Sequence, residues 1–308
     1  MRVAALDLGT NTTRLLVADV VDGRVDEVER RLAITRLGEG VDQRRRLLPV
    51  PIARVRNTLV DYRRTAAELG AERALLVATS AVRDAENGEA FLGEIEWSYG
   101  FVTRLLSGDE EAQLTRRGVG TGRRLGARDL IVDVGGGSTE LIANGWHGSL
   151  DIGSVRMTER FLHSDPPAPE EIDACVTAVN VALPDLYADG AVGVAGTVTT
   201  LAALDLGLEA YDPERVHGHR IPARSVEEQL ERLAALPLHE RRLVPGLEPE
   251  RAPVIVAGAI IVREVLRHYG VDSIEASERD ILDGAALEAA ELPEPDEGAA
   301  PPGAYTCC

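Results

Sequence analysis

Two stretches of the chain repeat each other: LDLGTNTTRLL at 6–16 and VDVGGGSTELI at 132–142. In both, an apolar arm carries an acid, a glycine follows two residues later, and a polar turn leads into a second apolar arm. Asp7 aligns with Asp133 and Gly9 with Gly135, an offset of 126. So long an offset marks the duplication of a whole domain and not a short solenoid period. The alternation of apolar residues predicts strands at 3–8, 13–20 and 25–34. A helix follows from Pro51 to about Leu69, then a strand at 74–79, a helix at 88–97, a strand at 101–106 and a helix from about Asp109. From Leu130 the pattern restarts with a hairpin, a third strand near 150–155 and then helices. The expectation is α/β: two βββαβα halves, with domains at 1–120 and 121–280, facing across a cleft into which both hairpin turns point. The helix at 281–291 is expected to cross back to the first domain, and 292–308, rich in Pro, Gly and acids, reads as a disordered tail.

The turn Gly135-Gly136-Gly137-Ser138 suits a phosphate, because glycines let backbone N–H groups converge on an anion and the serine adds a hydroxyl donor. A carboxylate beside a phosphate repels it unless a cation lies between. Asp133 and Glu140, one on each arm, are hard-oxygen ligands suited to Mg²⁺, directly or through water. A plain hairpin with two solvated acids is the simpler alternative. No GxxxxGK[ST] loop occurs, and all 33 basic residues are arginine. Arg83 follows the strand in ALLVATSAVRDAEN and can clamp phosphate oxygens or pair with Asp84 or Glu86. Within RLLSGDEEAQL a strand runs into a helix that Glu110 and Glu111 begin, where Ser107 and Glu110 spell a capping box. His217 and His219 in VHGHR lack a third metal ligand and read as a solvated loop; VAGTVTTLAAL at 194–204 reads as a strand, a turn and a helix N-terminus.

Composition narrows the classes. The 308 residues are 44% hydrophobic and 27% charged, enough for a packed core. A net charge of −18 argues against nucleic acid and membrane surfaces as partners, and no apolar run reaches the length of a membrane span. Cys175, Cys307 and Cys308 make no disulfide framework, so a reduced, cytoplasmic setting is expected.

Taken in order, VAALDLGTNTTRLLVAD, ATSAVRDAEN, LSGDEEAQL, DVGGGSTEL, VAGTVTTLAAL, PGLEPERAPVIVAGAII and SERDILDGAAL resemble the motifs of the exopolyphosphatase and guanosine-pentaphosphate phosphatase family. The resemblance runs from Met1 to about Leu287. It implies two ribonuclease H-like domains of the actin-like ATPase superfold. It also implies Mg²⁺-dependent release of terminal phosphate from inorganic polyphosphate, with guanosine pentaphosphate as the alternative substrate. The family's catalytic glutamate falls on Glu111, 29 residues before Glu140, as general base. Asp133 and Glu140 would hold the metal; Gly135, Gly136, Gly137 and Ser138 would cradle phosphate, with Asn11, Arg14 and Arg83 on the other side. GTNT stands where the family usually has GSNS, and the extra C-terminal helical domain of long members is missing, so shorter chains are the expected substrates. A homodimer is left open. A sugar-kinase-like activity and a non-catalytic nucleotide-binding protein of the actin type are the rival readings.

Overall fold

The computed structural model describes residues 1–126, 128–143 and 145–293. The chain divides into two compact units, Met1–Arg123 with the stretch from Arg279 onward, and Arg124–Glu278. The tail expected at 292–308 falls, from residue 294, outside the described residues, as do Cys307 and Cys308. Cys175 is a buried free thiol, pushed up to about 12 by burial and therefore unreactive.

In the first unit the strands are β1 (Arg2–Leu8), β2 (Thr12–Val21), β3 (Arg24–Ile34), β4 (Arg73–Ala78) and β5 (Val102–Leu105). Its helices are α1 (Val41–Arg44), α2 (Pro49–Glu68), α3 (Ser80–Arg83), α4 (Gly88–Tyr99) and α5 (Gly108–Gly122). The sheet order is β3-β2-β1-β4-β5, with β1, β4 and β5 parallel and the hairpins antiparallel. β1 is apolar almost throughout because helices cover both of its faces. Ala4, Leu6 and Leu8 pack with Val55, Leu59 and Ile95 on one side. Val3 and Ala5 face the other side, with Leu114 of α5 and the last helix of the chain. β3 is the edge strand, and its exposed charges discourage pairing with another sheet.

The second unit comprises β6 (Asp129–Val134), β7 (Thr139–Ala143), β8 (Trp146–Leu150), α6 (Ser154–Phe161), α7 (Pro169–Ala182), β9 (Gly190–Val194) and α8 (Ala195–Asp205). It continues with α9 (Pro213–Val216), β10 (Arg220–Pro222), α10 (Ala223–Ala235), α11 (Leu238–Arg241), α12 (Ile255–Tyr269) and β11 (Ser273–Ala276). Its sheet order is β10-β11-β9-β6-β7-β8. Read from β8, this repeats the first sheet strand for strand and adds β10 at the far edge. The registers repeat too: Asp7 lies opposite Arg14, and Asp133 lies opposite Glu140. The third strand of this half is Trp146–Leu150 and not the expected 150–155. Residues 154–156 instead start α6, because carbonyls of the Gly135–Gly137 turn accept their N–H groups.

The closing helix, α13 (Ile281–Glu291), packs on α5 and β1 of the first unit. Two glycines set its approach. A Cβ on Gly118 would come 2.7 Å from the carbonyl carbon of Asp280, and one on Gly284 would come 2.8 Å from that of Leu114. Both obstacles are backbone, which cannot step aside. Gly118→Ala should therefore destabilise the protein by about 1–3 kcal/mol, despite the roughly 1 kcal/mol that alanine gains over glycine in a helix. A thermal melt in which Gly118→Ala matches or exceeds the wild type would refute this packing.

Candidate active site

Parallel strands gather functional groups at their carboxyl ends, where the chain turns into loops and helices. In the first unit this edge carries the 9–11 turn after β1, α3 after β4, and the start of α5 after β5. The polar turn is held from outside: Thr35 and Arg36 donate their N–H groups to the Asn11 carbonyl, and Gly38 donates to that of Thr10. Thr10 and Asn11 are both buried.

The two adjacent glutamates have different jobs. Ser107 accepts the N–H of Glu110, and Glu110 returns a carboxylate to the Ser107 N–H and hydroxyl, both at 2.8 Å. The Ser107 backbone bond is the main reason that the Glu110 carboxyl lies below its ordinary range. Glu110 is thus the cap. Glu111 is outside the box and only 7% exposed. Arg83 reaches it, donating from Nη1 to Glu111 Oε2 at 3.1 Å and to the Leu106 carbonyl at 2.7 Å. The two motifs that the sequence shows separately therefore meet, and Arg83 holds the Glu111 carboxylate rather than Asp84 or Glu86.

Arg14 is placed differently from its expected phosphate contact. Its Nε and Nη2 donate to Asp7 Oδ2 at 3.0 and 2.7 Å, and its Nη1 donates to Asp280 Oδ2. Asp280 caps α13 by accepting the Leu282 N–H, and Arg30 approaches it from β3. Burial pushes the Asp7 carboxyl up more than Arg14 pulls it down, and Asp280 adds to the rise. Asp280 suffers the same burial, but Arg14 and Arg30 together hold it below the usual carboxylate range. A guanidinium shared by two buried carboxylates acts as a strut of the hairpin.

In the second unit, Asp133 and Glu140 are 7% and 1% exposed and stand directly opposite across the β6–β7 ladder, on one face of the sheet. Ser149 on β8 donates to Glu140 Oε1 at 2.6 Å. The turn between the arms hangs on α6. Ser154 N–H bonds the Gly135 carbonyl, Val155 and Arg156 N–H groups bond that of Gly136, and Arg156 Nε bonds that of Gly137 at 2.6 Å. A trans peptide sends its C=O and the following N–H to opposite sides. The N–H groups of Gly136, Gly137 and Ser138 therefore turn away from α6 as three successive donors, a concavity suited to an anion. None of Gly135, Gly136 and Gly137 has a positive φ; what Gly135 provides is room. A Cβ on Gly135 would stand 3.0 Å from the Ser138 carbonyl oxygen, and one on Gly153 would stand 2.5 Å from the Gly136 and Gly137 carbonyl carbons. Gly153 and the buried Arg156 are the supports that the sequence reading missed.

The donor set can be tested against Mg²⁺. Like charges directly opposite on paired strands repel, and buried carboxylates favour a cation nearby. No group of three or more His, Cys, Asp or Glu suited to a metal occurs among the described residues. That excludes a closed protein cage there. It suits Mg²⁺, which commonly takes one or two carboxylates and keeps water or phosphate oxygens for the rest. The histidines are otherwise engaged: His219 Nε2 lies 2.6 Å from Asp205 Oδ2, and His217 Nδ1 accepts the Glu278 N–H at 3.2 Å.

Residues 16–291 match the model of the Ppx/GppA phosphatase family. The chain belongs to this family. It is 41% identical to Exopolyphosphatase 2 of Mycobacterium tuberculosis, over 94% of this chain and 98% of that one. The crystal structure of the Aquifex aeolicus member of the Ppx/GppA family is 30% identical with a TM-score of 0.80, covering 94% of this chain and 98% of that one. The crystal structure of an exopolyphosphatase-like protein is 35% identical with a TM-score of 0.88, covering 94% and 99%. The Ppx/GppA chain is thus a phosphoanhydride hydrolase with a two-sheet α/β architecture shared with these relatives.

Proposed function

We propose that this Ppx/GppA protein is an exopolyphosphatase, releasing orthophosphate from the ends of inorganic polyphosphate chains. The observation that carries the reading furthest is the 41% identity to Exopolyphosphatase 2 along nearly the full length of both chains. The site chemistry supports it. The oxygens of a terminal phosphoryl group accept hydrogen bonds, and the N–H groups of Gly136, Gly137 and Ser138 offer three donors in a row, with the Ser138 hydroxyl beside them. Within the first unit, Thr10 and Asn11 form a buried polar turn.

Glu111 is the general base that takes the proton of the attacking water. Arg83 fixes its carboxylate through Oε2. Asp133 and Glu140 would hold Mg²⁺, which when bound neutralises charge gathering on the phosphoryl oxygens. Ser149 keeps the Glu140 carboxylate turned into the row across the sheet.

Guanosine pentaphosphate ends in a phosphoanhydride as well, so the same groups would serve it. Discrimination lies elsewhere. A base reader needs an apolar or aromatic slot with a polar edge. Aromatic residues are only 4% of this chain, and none lies in the phosphate motifs. Polyphosphate is accordingly the expected better substrate.

Phosphate release should be measured from polyphosphates of several lengths and from guanosine pentaphosphate in one buffer, with kcat/KM compared. Chelator should stop the reaction and added Mg²⁺ restore it; Asp133→Asn and Glu140→Gln should raise the Mg²⁺ needed for half-maximal rate. A higher kcat/KM for guanosine pentaphosphate would reverse the substrate assignment. Full activity in excess chelator would remove the metal role of this hairpin.

A further inference from the structure

Residues Arg44, Arg45 and Arg46 are three consecutive exposed arginines in a chain that carries 51 acids. Among the described residues, none of the three makes an ion pair or a side-chain hydrogen bond. Their neighbours do: Arg54 is bound to Glu39, and Arg56 to Glu94. Arg45 sits in the left-handed region, with φ 53° and ψ 30°, where a side chain is disfavoured and glycine would be at ease.

The position of this triplet is fixed by hydrogen bonds on both sides. Upstream, Gly38 bonds the Thr10 carbonyl of the first hairpin turn, Val41 bonds Gly38, and Arg45 N–H closes α1 on the Val41 carbonyl. Downstream, Glu86 N–H bonds the Arg45 carbonyl, and the Asn87 side chain pairs with both backbone groups of Leu47. Residues 86 and 87 lie just beyond Arg83. The arginines are thus stapled between the Thr10–Asn11 turn and the segment just beyond Arg83, which holds the proposed base Glu111.

We infer that Arg44, Arg45 and Arg46 form a track for the part of a polyphosphate chain that lies beyond the phosphate undergoing hydrolysis. The inference rests on the exopolyphosphatase reading and adds a subsite to it. Repeating anionic oxygens suit a row of forked guanidinium donors, which grip phosphate at two points. Arg44, Arg45 and Arg46 have no aromatic residue among or next to them, so the track lacks the stacking platforms that single-stranded nucleic acid requires.

The test compares Arg44→Gln/Arg46→Gln with Arg232→Gln/Arg242→Gln, which removes two exposed arginines from the other unit. Arg45→Gly, which relieves the left-handed strain, separates loss of contact from loss of folding. For each protein, kcat/KM is measured on tripolyphosphate and on long-chain polyphosphate across a salt series, and binding of labelled long-chain polyphosphate is measured directly. The track variants should lose affinity for long chains in excess of any loss on tripolyphosphate, and each arginine removed should lower the slope of log affinity against log salt by about one. An equal loss in the Arg232/Arg242 protein, an equal loss on both substrate lengths, or competition by single-stranded RNA as strong per charge as by polyphosphate would each overturn the track. If the wild type binds long chains through these arginines yet releases no phosphate, the subsite stands and the exopolyphosphatase reading falls. If it hydrolyses them and the track variants match it, the reverse holds.

Discussion

Glu111→Gln should lower turnover by roughly 10²–10⁴, the usual contribution of a positioned base, while the protein stays folded. Glutamine keeps the shape of the side chain and an oxygen for Arg83 Nη1, so the pairing that positions it is largely retained. Glu110→Gln is the matched control. It disturbs the capping box with Ser107, worth about 0.5–2 kcal/mol, and should leave turnover near wild type. The pH behaviour separates the pair further. The Glu110 carboxyl is held below its ordinary value chiefly by the Ser107 backbone bond, so its stabilisation is present above the ordinary glutamate range and is lost as pH falls through the depressed value. Equal kinetic losses for both variants, or losses for neither, would return Glu111 to a purely structural place in the first turn of α5.

Arg14→Met should be the most damaging single change in the first unit. It leaves Asp7 and Asp280 buried together without the cation they share, and removing one partner of a buried charge cluster costs about 3–5 kcal/mol. Adding Asp7→Asn to Arg14→Met should recover part of that loss, because an amide does not need the missing charge. Urea denaturation reads both effects. A near-normal midpoint with a large rise in KM would show instead that Arg14 contacts substrate and that the strut is dispensable.

Much of this architecture is legible in the chain. The 126-residue offset between the two hairpins foretells the matching registers, because strand pairing follows from alternation and turn length alone. The capping box at Ser107 and Glu110 is equally local. What escapes the sequence depends on contacts across the chain. Residues 150–155 alternate well enough for a strand, yet the N–H groups of Ser154, Val155 and Arg156 are claimed by a turn some 19 residues earlier. The second partner of Arg14 is Asp280, 266 residues away. The glycines of the second turn adopt no positive φ; Gly135 serves close approach instead, as does Gly153, outside the motif.

The first unit is assembled from two stretches separated by the whole of the second, and this dictates an order of folding during synthesis. One face of its sheet, with Val3, Ala5, Leu16, Leu75 and Val77, is covered by Ile281, Leu282, Ala285 and Ala286 of α13, which leave the ribosome only after the second unit has been made. The second unit, uninterrupted between Arg124 and Glu278, can complete its own core first. The half that is made first must therefore wait with an apolar face uncovered until the last helix arrives. A premature stop before α13 would leave that face permanently open, making truncated chains candidates for aggregation or chaperone capture.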